Sequence, residues 1–281
     1  MKLNFSYKKL LFMAGLLLCM IPQSVMAQRE KPKNLLLYDN QPYHFGFIIA
    51  LNQMSYAFDY KEDYQNILYQ FIDHPDLPQG YNPVTIERIP GAPGYFLDND
   101  SLLFYNRSLV SVPRYGFAVG VVGNLRLGKY FDLRLIPTLS FGRKYIEYQY
   151  AVIKDDTHPE IMEMHSDRTQ LLVTVMEFPL QVKFRSKRLN NVAAYIVAGG
   201  NPKLDFSFLY DNDKNRIRTK VFDFAAEIGT GFDFYNGYFK FGIEAKMSFG
   251  LINMFDAQNN QYDPSINGLH DRVFQLSLTF E

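Results

Sequence analysis

The sequence predicts an all-β fold: an eight-stranded antiparallel transmembrane up-and-down β-barrel with a filled polar lumen. Three observations predict it: apolar and polar residues alternate strictly in several segments, the alternation outlasts an ordinary strand, and the connections are alternately long and short. A tilted strand that crosses a bilayer needs about 9–11 residues, whereas a typical globular strand has about 5–6. The length of the segments therefore favours a membrane over a soluble sandwich.

The clearest strand pair spans residues 115–142 and is divided by a tight turn at Gly128-Lys129-Tyr130. One face of both strands is apolar and the other is polar, as a half-buried sheet requires. The apolar face carries Tyr115, Phe117, Val119, Val121, Leu125, Leu127, Phe131, Leu133, Leu135, Leu139 and Phe141. The remaining strands are predicted at residues 43–52, 171–184, 193–209, 222–234, 239–249 and 274–280.

Local signals refine these strands. Asn236-Gly237 predicts a two-residue hairpin turn, and Gly199-Gly200-Asn201-Pro202 predicts a kink or bulge. The alternation slips near Gly142, which predicts a bulge there. The tyrosines that follow predict an interfacial aromatic girdle; they are Tyr145, Tyr148 and Tyr150.

The connections alternate between long and short. The long ones are predicted at residues 53–112, 151–168, 210–219 and 251–271. An outer-membrane barrel has this pattern, with short periplasmic turns and longer external loops. We interpret residues 53–112 as a large external loop insertion, with a short helix at residues 64–72 because apolar residues share one helical face there.

The polar faces of the strands carry charges of both signs, which we expect to form a charge network in the lumen. Unpaired charge in an apolar core is costly, so these side chains belong in a polar interior whose narrow width lets them pair. A proton or ion path is an alternative, but a structural salt-bridge plug suits a small barrel better. The predicted lumen residues are Arg126, Asp132, Arg134, Glu177, Lys183, Asp223, Glu227, Asp233, Lys240, Glu244 and Lys246.

The N-terminus predicts export. Lysines precede an apolar run that is too short to span a bilayer, and Val25-Met26-Ala27 suits cleavage after Ala27. We therefore divide the chain into a signal peptide (1–27), a periplasmic lead (28–42) and a barrel (43–281), integral to the outer membrane with a periplasmic N-terminus. Lipidation at Cys19 is the alternative, disfavoured by the bulky Leu18. Cleavage would remove the only cysteine.

The sequence gives little support to catalysis or metal binding. The zero net charge argues against nucleic acid as a partner. His74-Pro75-Asp76 and His270-Asp271 place histidine beside a carboxylate, yet nothing marks a nucleophile. Residues 211–215 resemble the start of a calcium loop, but Arg216 and Phe222 occupy its required Gly and Glu positions. We predict a non-enzymatic protein with no catalytic residues, cofactor, metal or small-molecule substrate.

The C-terminal strand resembles the signal that barrel-assembly machinery recognises in its clients. Its alternating apolar residues are Phe274, Leu276, Leu278 and Phe280, and Glu281 after the last aromatic departs from the pattern. A lipid-facing last strand explains the same residues. We expect the assembly machinery and outer-membrane lipid as partners.

Three segments resemble the PorT family of small outer-membrane β-barrels from the type IX (Por) secretion system of Bacteroidota. They are LRLGKYFDLRLIPTLSFG (125–142), EFPL (177–180) and KFRSKRLNN (183–191). The resemblance implies an accessory or assembly role in protein secretion and gliding motility, with other secretion-system components as partners. It offers no catalytic motif, and the family's members are not known to form the translocation pore.

Two alternatives stay open: a small outer-membrane enzyme (lipase, acyltransferase or protease) and an adhesion barrel. The working surface is predicted in the loop 53–112, because it is too long for a mere connection and has aromatic residues suited to protein contact. The second choice is the turn at residues 186–191.

Overall fold

The computed structural model describes residues 32–62, 64–65, 68–72, 84–86, 101–153, 162–207, 217–257 and 265–281. The chain from Asn34 to Glu281 forms one compact unit. No helix in the described ranges is long and apolar enough to cross a membrane. The predicted signal peptide and the calcium-like segment 211–215 lie outside these ranges.

Strands dominate the described chain, and a 3-10 turn at Tyr38–Asn40 precedes them. The strands are β1 (Tyr43–Tyr60), β2 (Leu68–Ile72), β3 (Val84–Ile86), β4 (Ser101–Val112), β5 (Arg114–Arg126), β6 (Phe131–Leu135), β7 (Thr138–Ile153), β8 (Met162–Glu177), β9 (Leu180–Arg185), β10 (Val192–Asp205), β11 (Arg218–Thr219), β12 (Phe222–Tyr235), β13 (Lys240–Gly250), β14 (Phe255–Asp256) and β15 (Ile266–Phe280).

Eight barrel strands form a closed antiparallel ring. They are β1, β4 with β5, β6 with β7, β8 with β9, β10, β12, β13 and β15, and each pairs with the next along the chain. The ring closes where β15 pairs with β1. Strands β2 and β3 extend the sheet beyond β4, and β11 pairs separately with β14. The predicted eight-stranded antiparallel barrel is confirmed.

The register of the ladder fixes the width of the barrel. A path of paired residues that starts at Tyr43 of β1 and goes once around the ring returns to β1 at Gln53, ten residues further on. The paired residues along this path are Leu125, Leu133, Val182, Ala198, Ile228, Met247 and Phe274. Such a stagger requires strands tilted by about 35–45°, and eight of them enclose a space just wide enough to be filled by side chains.

Prolines interrupt three of the barrel strands. Pro113 separates β4 from β5, Pro137 separates β6 from β7, and Pro179 separates β8 from β9, since proline donates no ladder hydrogen bond. The kink predicted at residues 199–202 was wrong: β10 pairs with β12 without a shift of register. Gly199 is needed for close approach instead, because a Cβ there would lie 2.1 Å from the Leu180 carbonyl oxygen.

The connections alternate as predicted, but the long ones are shorter than expected. Residues 53–60 belong to β1 and residues 101–112 to β4, so the predicted loop 53–112 is strand at both ends. The helix expected at residues 64–72 is also wrong, since Leu68–Ile72 is strand β2. Strands β7, β8 and β15 likewise extend into the predicted loops 151–168 and 251–271. We call the end of the barrel that carries these long connections the long-loop end, and the opposite end the turn end.

An apolar belt surrounds the part of the barrel next to the turn end. Along β12 the outward side chains stay apolar or small from Phe222 to Phe234, a rise of roughly 30 Å for a strand tilted by about 40°. That height matches the hydrocarbon core of a bilayer. Exposed members of the belt include Phe45, Phe47, Ile49, Leu51, Val119, Val121, Ile196, Ile228, Phe232, Leu276 and Leu278.

The polarity of the two faces reverses above the belt, towards the long-loop end. On β7 the outward positions change from Leu139 and Phe141 to Arg143 and Gln149, while Ile146 and Tyr148 point inward and are buried. These inward residues belong to an apolar cluster inside the barrel, formed by Tyr56, Leu109, Ile146, Tyr148, Leu171, Ile217, Ile266 and Leu269. The upper barrel therefore has the pattern of a water-soluble protein.

This reversal corrects two predictions. β7 itself has no bulge at Gly142, because it pairs with β8 without a register shift from Thr138 to Ile153. The extra residue lies on the neighbouring strand, where the register of β7 shifts by one between Phe117 of β5 and Val112 of β4. The slip in the sequence pattern marks a change in which face is apolar. The predicted girdle is also wrong in part, since Tyr148 lies inside the barrel and Tyr150 packs against the inner apolar cluster, whereas Tyr145 faces outward.

An arginine placed in the belt tests the reversal. Ile228→Arg puts a charge on the outward face near mid-belt, and we expect it to destabilise the folded barrel by about 2–4 kcal/mol. The control Gln149→Arg lies on the outward face above the belt and should change stability by less than about 0.5 kcal/mol. Urea unfolding in lipid vesicles measures both; equal losses would contradict a belt that ends below Gln149.

Candidate functional site

The lumen is the most distinctive chemical feature of the barrel. Of the eleven charged residues predicted to lie there, ten are buried and Arg126 is half-buried at the turn end. The period of two along each strand places them inward, since their neighbours on both sides face the belt. Their environment is therefore the interior of the ring, and each charge needs a partner within it.

Two ion pairs in the lumen join strands that are not neighbours in the ring. Arg134 Nη1 lies 2.6 Å from Glu244 Oε2, and both side chains are fully buried. Lys183 Nζ lies 2.7 Å from Asp233 Oδ2 and 3.6 Å from the ring centroid of Tyr195. β6 and β13, which carry the first pair, are not neighbours in the ring, so this pair joins opposite walls.

Glu227 is the centre of a second group. Its carboxylate accepts hydrogen bonds from Gln181 at 2.6 Å, from Asn201 at 2.8 Å and from Lys246 at 2.9 Å. Asn201 also donates to Glu177 at 2.7 Å. Glu177 and Glu227 thus share the side-chain amide of Asn201. These hydrogen bonds satisfy carboxylate lone pairs that an ion pair alone would leave without a donor.

A third group lies nearest the inner apolar cluster, and sequence reasoning missed it. Asp271 lies between Lys144 Nζ, at 2.5 Å, and Lys203 Nζ, at 2.9 Å. Asp271 fell in a predicted loop, although extending the alternation of the last strand backwards from Gln275 would have placed it inward. Asp223 lies opposite Lys203 in the ladder between β10 and β12.

The turn end is closed by the segment that precedes β1. We call residues 34–40 the latch. The Asp39 carboxylate lies 2.9 Å from Arg185 Nη1, 3.3 Å from Arg126 Nη2 and 3.5 Å from Arg188 Nη1. Burial raises the pKa of this carboxyl, but the hydrogen bond and charge of Arg185 outweigh burial and lower the pKa below its usual range.

Further contacts hold the latch. The Tyr38 hydroxyl donates to Glu281 Oε2 at 2.9 Å, and His44 Nε2 donates to the Tyr38 carbonyl at 2.8 Å. Glu281 also receives Lys240 Nζ at 2.8 Å. Glu281, which departs from the predicted C-terminal pattern, therefore points into the lumen and pairs with Lys240. Burial raises the pKa of the Glu281 carboxyl, yet Lys240 outweighs burial and holds that pKa well below its usual range.

The predicted C-terminal signal residues lie on the outer wall. Phe274, Leu276 and Leu278 are exposed in the belt, and the Phe280 ring stacks on Phe47 with centroids 4.9 Å apart. Phe280 also lies 5.3 Å from Phe241, so it sits over the seam where the ring closes. Recognition by assembly machinery remains a prediction.

The histidines do not assemble a catalytic centre among the described residues. His270 pairs with Asp59 at 3.2 Å, while its sequence neighbour Asp271 belongs to the lumen. His74 lies outside the described ranges. No group of three or more His, Cys, Asp or Glu side chains suited to a metal occurs in the part of the chain that the structure describes.

Comparison with known proteins identifies the family. The model of the outer membrane protein beta-barrel domain matches residues 91–256, more than half of the chain. The chain belongs to this family. The OprG outer membrane protein of Pseudomonas aeruginosa is structurally similar, with a TM-score of 0.36 and 11% identity over 84% of this chain and 94% of OprG. No curated protein sequence matches the chain.

The lumen of this outer-membrane barrel should be intolerant of single charge removals. Glu244→Gln leaves Arg134 buried without its counter-ion, and we expect a loss of about 3–5 kcal/mol in the free energy of unfolding. The double change Arg134→Met with Glu244→Met removes both charges and should recover most of that loss. Urea unfolding in vesicles measures both; an equal loss in the double variant would contradict the pairing.

The latch should depend on the charge of Asp39. Its stabilising contribution is present above the ordinary carboxyl pKa of about 3.9 and is lost as pH falls through the lower folded value. Asp39→Asn should weaken the latch by about 1 kcal/mol, because the carboxylate is partly exposed. Hydrogen exchange of residues 34–40 should therefore accelerate at neutral pH in the variant, with β13 as an unchanged internal control. Unaltered exchange would contradict the role of Asp39.

Proposed function

We propose that this outer-membrane barrel is a non-enzymatic accessory or assembly component of type IX protein secretion and its associated gliding motility. Its partners would be other secretion-system components, with barrel-assembly machinery and outer-membrane lipid required for its insertion. The resemblance in residues 125–142, 177–180 and 183–191 suggests this role, and the positions of these segments in the fold support it.

The observation that carries the proposal is that the first segment, although more than 30 residues from the other two in sequence, meets them in one place. Strand β6 pairs with β9, so Asp132 lies opposite Lys183. The Arg185 amide donates to the Tyr130 carbonyl at 2.8 Å, which joins β9 to the turn at residues 127–130. A shared motif that forms one continuous wall and rim is what a common partner would contact.

The rim at the turn end offers a protein-binding surface. Lys129 and Lys187 are exposed there, and Leu189 is exposed beside the latch-binding Arg188. An exposed leucine suits the apolar core of a protein–protein contact, and the charged side chains around it suit the polar rim of that contact. Under the predicted orientation this rim faces the periplasm, where secretion components are accessible.

The loop after β1, which the sequence predicts as the first choice of working surface, is the other candidate, because it joins β1 to β4 through a span far longer than a hairpin needs. Most of that span, residues 73–100, lies outside the described strands except for β3. The two surfaces lie at opposite ends of the barrel and can be tested separately.

The lumen supports an accessory role over a conduit. Arg134, Lys183, Glu227 and Asp271 are all buried inside the ring, and each of them forms an ion pair there. Passage of a cargo polypeptide would break several of these pairs at once, each at a cost of about 3–5 kcal/mol. A partner would therefore use the outside of the barrel and its rims.

A secretome comparison tests the proposal. Deletion of the gene should retain secreted cargo proteins in the periplasm, and the parent gene should restore their release. Lys187→Glu with Leu189→Asp should reproduce the defect while barrel levels in the outer membrane stay normal, because both side chains are exposed. The matched control, Tyr238→Ala, alters an exposed residue in another turn. Quantitative mass spectrometry of culture and periplasmic fractions provides the measurement.

The remaining outcomes separate the alternatives. A normal rim variant with a defect on shortening residues 73–100 would move the working surface to the loop. An unchanged secretome in the deletion strain would contradict the secretion role. Loop-dependent surface binding with normal secretion would then favour an adhesion barrel, and altered lipid or protein modification would favour an enzyme.

A further inference from the structure

A group of arginines lies on the outer wall directly above the apolar belt. We call Arg114, Arg143, Tyr145 and Arg168 the arginine patch; they lie on the adjacent strands β5, β7 and β8. The guanidinium carbons of Arg114 and Arg168 lie 4.8 Å and 6.0 Å from the Tyr145 ring centroid. Arg143 precedes Tyr145 by two residues, so both project from the same face of β7.

The patch begins where the belt ends. Phe141, two residues below Arg143 on the same face, stacks on Phe117 with centroids 5.2 Å apart. Leu172 lies opposite Arg143 in the ladder. Tyr115, next to Arg114, is 80% exposed at the upper edge of the belt. The arginines therefore lie at the height of the lipid headgroups when the belt occupies the hydrocarbon core.

Two of the three arginines in the patch have no acidic partner among the described residues. Arg168 forms an ion pair with Glu147. Arg114 and Arg143 are exposed and form no ion pair with any other residue of the described ranges. Tyr145 holds Arg114 against the wall by a cation–π contact, and its hydroxyl donates to Gln170 at 2.6 Å. A pre-positioned guanidinium loses less entropy when it binds an anion.

We propose that the arginine patch binds the phosphate groups of phosphorylated lipid headgroups in the leaflet around the long-loop end. Guanidinium groups match phosphate oxygens in bidentate geometry, and arginine near a bilayer surface is drawn to anionic lipid. The contact would fix the depth and tilt of the barrel beside the strands that carry the long loops. The proposal rests on the outer-membrane family and the belt, and is independent of a secretion role.

Lipid retention tests the proposal. The mature barrel is placed in phosphatidylcholine nanodiscs that contain bisphosphorylated lipid A or its dephosphorylated form, and the lipid bound to the released protein is measured by native mass spectrometry. We expect retention of the phosphorylated form only. Arg114→Gln with Arg143→Gln should lower its affinity about tenfold to thirtyfold. The control Arg218→Gln with Lys220→Gln removes two exposed cations elsewhere at the long-loop end and should retain the lipid.

Competition with inorganic phosphate separates the two sources of this anion. Free phosphate at the same concentration should leave lipid retention unchanged, and displacement would mean that the patch binds soluble phosphate. Equal retention of both lipid forms, or of lipid by the double variant, would overturn the proposal and point the patch towards an acidic protein partner. Both substitutions replace exposed side chains, and heat-modified electrophoretic mobility verifies that the variants fold.

Discussion

The ion pairs inside the lumen are the interaction on which the rest of the barrel depends. In a ring of eight strands every second side chain points inward, so within the apolar belt the charged side chains of the strands lie inside the lumen. Their desolvation is compensated only by close partners of opposite sign. Arg134 and Glu244 meet from opposite walls, and Asp271 joins Lys144 to Lys203 across several strands. These contacts connect strands that share no ladder, so the same pairs that make the belt possible also hold the ring in shape.

Each end of this charged zone is closed by a different chemistry. At the turn end, the latch brings Asp39 to three arginines and Tyr38 to Glu281. At the long-loop end, the lumen becomes apolar around Tyr148 and Leu269, while the outward side chains become polar. The barrel therefore changes its surrounding solvent partway along its strands without a break in the ladder. The arginine patch lies at that change, and the segments that resemble a secretion-associated family lie mainly around the latch and in the wall next to it.

The strands of the ring and their inward charges could be predicted from the sequence wherever the outer face is apolar. Period-two alternation gave β5, β6, β12 and β13 and identified Arg134, Glu227 and Glu244. It failed above the belt, because there the apolar residues Ile146 and Tyr148 point inward and the pattern changes phase relative to the wall. Lys144, Lys203 and Asp271 were missed for that reason, since each lay beyond a predicted bulge, kink or loop end. The latch could not be predicted, because nothing in the sequence around Asp39 marks its partners. Only closure of the ring brings Arg126, Arg185 and Arg188 around this residue.

The most direct test of this account is solvent accessibility along the outward face of β7. Nitroxide labels on single cysteines at Leu139, Phe141, Glu147 and Gln149 can be introduced into residues 28–281, because the only natural cysteine lies in the predicted signal peptide. Collision rates with oxygen and with a water-soluble nickel chelate then report lipid or water at each position. The account predicts lipid at Leu139 and Phe141 and water at Glu147 and Gln149, although all four project from the same face. Lipid contact at Gln149 equal to that at Phe141 would contradict a belt that ends at the arginine patch.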